Sequence, residues 1–482
     1  MRRFAALALL LLLCPLAASA HSFGRLYNLP VPFWLYAYGA AAALALSFLI
    51  AAYFLQAPSL GTPARSLDLS DRAWVRRLPW HGLQAGALLA LLLCIATGYW
   101  GSRNPYLNIN MTLFWVVFVL GYAYLSALLG DLYARINPWW LLALGLGRVW
   151  RGYARGRLAA PERYGYWPAL TLYYGFIWLE LFGHSKPGSL ATALLAYTAI
   201  NLVGAGLWGL RAWFRYGELF AVFLRLIALM APLHWQHGED GRSRLRLRWP
   251  FAGLLEQRAE HPSLLLFILF MLSSTAFDGL RETVPWVRLF WTEAYELLKP
   301  WVGEHPYRAY PLLRSLYLGW QSLALLLSPF LYLALYLACV ALARRLAGSA
   351  LPLRELALRF AYSLLPIALV YHLTHYYTLL LTQGLKIVPM LSDPFGWGWN
   401  LFGTVGWFRA AIIPDMGLVW HSQVALIVFG HVVSVVLAHR EALRSFESPR
   451  AATLSQLPML LLMLLFTTAG LWILAQPIQA GQ

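Results

Sequence analysis

Residues Trp213–Met230 read WFRYGELFAVFLRLIALM, a stretch as long as a membrane span that carries Arg215, Glu218 and Arg225 among its apolar residues. Whether it crosses a bilayer decides the side on which every later segment lies. Charge within hydrocarbon is costly, so three charged residues in one segment argue for an amphipathic helix lying in the interface. Working outward from it, ten apolar runs are long enough to span about 30 Å of hydrocarbon. They are Phe33 to Leu55, Gly82 to Trp100, Met111 to Leu129, Tyr166 to Phe182, Leu190 to Trp208, Ser263 to Phe277, Tyr317 to Ala343, Phe360 to Leu381, Leu418 to Leu437 and Leu457 to Leu474. With an exported amino terminus, this thread puts 25 Lys and Arg residues on the inner side and 10 on the outer side, as the positive-inside rule requires. Had Trp213–Met230 crossed, Arg242, Arg244, Arg246 and Arg248 would fall outside, against that rule.

Composition excludes the other broad classes. Of 482 residues, 60% are hydrophobic and only 12% charged, and the mean hydropathy is +0.59. A soluble globule has no way to cover itself with so little polar surface, and disordered, coiled-coil and disulfide-rich chains need other compositions. The expected fold is an all-α polytopic transmembrane helix bundle of about ten spans plus the interfacial helix, forming a single domain over 21–482. Cys94 and Cys339 sit inside apolar stretches and are expected to pack rather than to pair. The net charge of +17 lies between the apolar runs, where it acts as a topology signal. It therefore implies contact with a lipid bilayer and no nucleic-acid partner, and the oligomeric state stays open.

Residues Met1 to Ala20 read as a secretory signal peptide. Arg2 and Arg3 form the charged region, Phe4 to Leu13 the apolar region, and Ala18-Ser19-Ala20 the small-residue cleavage site. The mature chain would then begin at His21 on the periplasmic face of a bacterial inner membrane. An amino-terminal histidine offers an amine and an imidazole to one metal ion, a chelate suited to copper; the alternative is that cleavage simply leaves a histidine there.

Ionisable residues within the runs are the candidates for chemistry, because each carries a cost in hydrocarbon. Glu180 and His184 belong to the fourth run, Asp278 ends the sixth, His372 and His375 lie on the eighth, and His421 and His431 on the ninth. His372 and His375 are three apart, about 300° around a helix and so nearly on one face. With His431 at an overlapping depth and Asp278 adding an oxygen, they form a candidate metal site. A divalent transition metal there, zinc or copper, would polarise a phosphoryl oxygen and lower the pKa of bound water. The alternative for each histidine is a hydrogen bond to a neighbouring helix. Asp131 is expected to pair with Arg135, and His439 to face water. Walker, zinc-protease, Cys-x-x-Cys and haem-attachment motifs are absent. Paired histidines on membrane helices also suit haem, which leaves a redox subunit open.

Several stretches carry a likeness in combination: His21 with Leu29-Pro30-Val31-Pro32-Phe33-Trp34-Leu35, Ser126 to Asp131 with Asn137-Pro138-Trp139, Trp178-Leu179-Glu180-Leu181, Ser273 to Gly279, His375-Tyr376, Ser392 to Gly396 with Leu401-Phe402-Gly403-Thr404, and Gly430-His431 through His439. Over nearly the whole mature chain these residues make it resemble the bacterial integral-membrane fenitrothion hydrolases. The resemblance implies hydrolysis of an apolar organophosphorus triester to a nitrophenol and a dialkyl thiophosphate. It brings no assigned catalytic residues. On the residue reading, His372, His375, His431, Asp278 and His21 would hold the metal, while Glu180 and Asp278 would serve catalysis. The competing expectations are a copper transport or delivery protein and a redox membrane subunit.

Overall fold

The computed structural model describes residues 31–55, 66–150, 152–158, 164–183, 185–237, 243–408, 410, 412 and 414–479. The expected signal peptide, His21 and His184 lie outside the described residues. Among those residues, nine helices are long and apolar enough to cross a membrane, and the chain is an all-α helical bundle. Twelve helices matter here. They are α1 (Phe33–Phe54), α2 (Trp80–Trp100), α3 (Ile109–Leu129), α4 (Trp167–Phe182), α5 (Pro187–Trp208), α6 (Leu210–Tyr216), α7 (Leu219–Ala228), α8 (Pro262–Arg281), α9 (Pro306–Leu346), α10 (Leu365–Gln383), α11 (Met416–Ser445) and α12 (Leu457–Gln479). Nine of the ten expected runs fall in spanning helices. The tenth, Tyr166 to Phe182, forms the 16-residue α4, about 24 Å at 1.5 Å per residue and short of a full crossing.

The bundle is built around α8. Nearly every side chain from Ser263 to Phe270 and on to Asp278 is buried, because α4, α9, α10 and α12 all pack on it. A helix apolar on all sides is stable only where neighbours or lipid surround it. α8 takes the first option, and α1, α2 and α9, with Leu49, Leu89, Leu92, Leu327 and Leu331 exposed, take the second. Proline at the first turn starts α8 and α10, where a missing N–H is harmless. At the head of α8, His261 accepts from the Ser263 N–H at 3.2 Å.

The interfacial helix is corrected by the structure. Trp213–Met230 does not form one surface helix; it breaks at Gly217-Glu218 into α6 and α7. α7 is buried inside the bundle through Leu219, Phe220, Val222, Phe223, Leu224, Leu226, Ile227 and Ala228. Glu218, read as a sign of exposure, is fully buried. Its carboxylate caps α7, accepting from Phe220 N at 3.0 Å and Ala221 N at 2.6 Å, from Asn137 Nδ2 at 3.0 Å, and from the Tyr197 hydroxyl. Four donors around one carboxylate offset the cost of removing it from water.

Three short strands, β1 (Leu67–Asp68), β2 (Leu233–His237) and β3 (Ser243–Leu247), form an antiparallel sheet in the order β1-β3-β2. Leu67 pairs with Leu247, and Trp235 with Leu245. Val75, Trp235 and Leu245 close a small core beneath it. Asp131 accepts from the Ala134 N–H at 3.0 Å, while the Arg135 guanidinium lies over the Trp80 ring. His439, expected in water, is buried: Nε2 reaches the Leu55 carbonyl at 3.0 Å, and Nδ1 the Gln456 amide at 2.8 Å.

Candidate functional site

Near one end of α8, Asp278 and Arg281 are three residues apart, so helical geometry places them on one face. Arg281 Nε donates to Asp278 Oδ1 at 3.0 Å. It also ties α8 to α4, through Nη1 on the Leu181 carbonyl at 3.3 Å and a guanidinium over the Phe182 ring. The other carboxylate oxygen faces α10. His375 Nε2 lies 2.7 Å from Asp278 Oδ2, and the Tyr376 hydroxyl donates to the same oxygen at 2.9 Å. Since a carboxylate oxygen accepts, Nε2 carries the proton and the lone pair of neutral His375 sits on Nδ1. Glu180 on α4 stands beside Tyr376, close to the same cluster.

Two cavities flank this polar wall. The smaller, about 20 Å³, is bordered by Glu180, His372, Tyr376, Ser274, Phe176 and Phe223, and has room for about one water. The larger, about 90 Å³, is bordered by His375, His431, Thr275, Tyr371, Tyr332 and Met463 among others. Thr275 touches both.

The structure unites part of the expected set and divides the rest. Asp278 and His375 meet, with Glu180 beside them. His372 does not join them: its Nδ1 lies 3.2 Å from the Tyr124 hydroxyl on α3, and its ring faces the smaller cavity. Three residues on a helix leave a 60° offset, enough to send His372 toward α3 and His375 toward α8. His431 is fully buried beside Tyr371, its Nδ1 2.8 Å from the Ile427 carbonyl. Among the described residues, no three His, Cys, Asp or Glu side chains converge on a point where one ion would touch them all. Both Asp278 oxygens are already engaged, one by a permanent cation. The expected His372, His375, His431 and Asp278 ligand set therefore does not fit a shared metal, and His21 lies outside the described residues. Arg281, Tyr376 and Tyr124 were missed as partners; the Asp278–Arg281 spacing was the one readable signal.

No protein-family model, curated protein or solved structure matches the chain.

Proposed function

We propose that this chain is a membrane hydrolase of apolar organophosphorus triesters, of the fenitrothion type, in which His375 is the general base and Asp278 its orienting partner. The observation that carries the reading is the 2.7 Å contact from His375 Nε2 to Asp278, with the imidazole edge bordering a cavity deep in the bundle. An imidazole held by a carboxylate in one tautomer is the arrangement that removes a proton from an attacking oxygen. The resemblance of the chain supplies the substrate class.

In the proposed step, water donates its proton to His375 Nδ1 as its oxygen bonds to phosphorus. The aryl oxygen–phosphorus bond breaks, and the electron pair leaves on a nitrophenolate, which needs little acid assistance. Asp278 stabilises the imidazolium, and Arg281 fixes the carboxylate in turn. The products from fenitrothion are a methylnitrophenol and dimethyl thiophosphate. A cavity of about 90 Å³ is too small for the whole triester; the dimethoxy phosphorus end enters and the ring remains outside. Glu180 stands beside Tyr376 and borders the smaller cavity.

The test is nitrophenol release by detergent-purified protein with and without chelator. His375→Gln and Asp278→Asn should each lower the rate by at least about 100-fold, the range for losing a general base, and chelator should have no effect. Release that survives both substitutions ends this reading. A copper-delivery reading draws support from His375 and His431 bordering one cavity; purified protein that retains copper and releases no nitrophenol would favour it.

A further inference from the structure

His431 sits midway along α11 with no exposed surface. Its Nδ1 lies 2.8 Å from the Ile427 carbonyl, one turn earlier. A carbonyl only accepts, so Nδ1 carries the proton and the lone pair is on Nε2. Among the described residues that lone pair has no partner, and the ring borders the larger cavity. A buried acceptor without a donor is costly, which makes it a site where a donating ligand gains affinity.

Tyr332 and His375 also border this cavity, and four further polar side chains along it are already committed. The hydroxyls of Thr275 and Thr374 donate to the Met271 and Tyr371 carbonyls. Those of Tyr336 and Tyr371 donate to the Ala357 and Phe466 carbonyls. The shape is equally restrictive. On α12 the lining runs from Met459 to Leu474, a rise of about 22 Å. A volume of about 90 Å³ spread over that length leaves a slot one alkyl chain wide. Leu269, Leu272, Ile367, Met463 and Ile473 give it apolar walls.

We propose that this slot binds an aliphatic alcohol, with the hydroxyl donating to His431 Nε2 and the chain lying along α12. The site lies in the cavity given above to the phosphorus end of the triester, but it needs neither Asp278 nor a reaction at His375 and so does not depend on the hydrolytic reading.

The experiment uses full-length protein in lipid nanodiscs with isotope-labelled histidine, following the side-chain nitrogen resonances. The probe is octanol, compared with heptyl methyl ether, which has the same length and no donor. Octanol should move the His431 Nε2 resonance, with half-saturation at about tenfold lower content in the bilayer than any effect of the ether, one buried hydrogen bond's worth of discrimination. His431→Phe should remove that resonance and so assign it. Met463→Trp, which fills the slot and leaves His431 in place, should abolish the response. The proposal is overturned if octanol and the ether act alike, if neither moves the resonance, or if it answers only to water or cuprous ion.

Discussion

Replacing Arg281 by methionine removes the one permanent cation on Asp278 while keeping much of the side chain's apolar length. The Arg281 side chain is 20% exposed and that of Asp278 11%, so the pair lies between a surface bridge and a fully dry one. Breaking a buried pair from one side costs about 3–5 kcal/mol because a charge is left behind. Here the His375 ring nitrogen and the Tyr376 hydroxyl remain on Oδ2, which brings the expected cost to the lower end, about 3 kcal/mol. The contact of Arg281 with Glu282 is on the exposed side and adds little. Adding Asp278→Asn to Arg281→Met removes the stranded charge, so the double variant should lose no more than the single one. The two changes should therefore couple by about 2 kcal/mol or more. The assay is reversible unfolding in mixed micelles titrated with denaturing detergent, for wild type, both single variants and the double. Costs that add to within about 0.5 kcal/mol would show that the two groups do not depend on one another, and the reasoning for the cluster would fail.

Four further outcomes follow from other parts of the fold. Gly430→Ala places a Cβ 2.4 Å from Val370 Cγ2 and 3.0 Å from the Pro366 carbonyl, so α10 and α11 must part at a cost of about 1–3 kcal/mol in thermal unfolding. Gly175→Ala, with no atom within 4 Å, should be neutral or slightly stabilising. Glu218→Ala strands the Phe220 and Ala221 N–H groups, the Asn137 amide and the Tyr197 hydroxyl, and should lower stability by about 2–4 kcal/mol; a loss under about 0.5 kcal/mol would mean α7 does not need its cap. In the sheet, burial and then the Arg248 charge push His234 below its ordinary 6.5. The unfolded hairpin thus binds a proton more readily than the folded one, and sheet stability is full above that value and falls as pH drops below it. Protection factors of the β2 and β3 amides, corrected for intrinsic exchange, should fall on acidification, and His234→Gln should flatten the slope; an unchanged slope would assign the effect elsewhere.

The spans were readable because the bilayer imposes a length and an apolar circumference that few other structures share. Phe33–Phe54 and Trp80–Trp100 match their expected runs closely for that reason. α7 was misread because one rule was applied outside its domain. Charged residues in an apolar stretch imply exposure only if nothing pairs with them. Glu218 finds two donors in the first turn of α7 and two more across the bundle, and Arg225 donates to the Arg215 carbonyl at 2.8 Å. Asn137 and Tyr197 are 81 and 21 residues from Glu218, so no window along the chain contains the partners. The same holds for His439, whose acceptor on Leu55 is 384 residues away.

Among the described residues the expected ligands do not converge on one point, for a reason of balance rather than position. In the sequence, Asp278, His375, His372 and His431 fall at overlapping depths and read as the ligands of one ion. The protein instead supplies Arg281, one turn along the same helix and long enough to reach Oδ1. Once that cation is in place, a divalent ion on Asp278 would have to displace it or lie beside it, against like-charge repulsion at close range. His372 and His431 then have no carboxylate to share and find local partners, Tyr124 and the Ile427 carbonyl. His375 is the exception because Oδ2 is left for it, and its second nitrogen faces away from the pair. The Asp278–Arg281 pair therefore does two things: it settles the buried charge, and it leaves one imidazole oriented at the edge of a cavity with its basic nitrogen unspent.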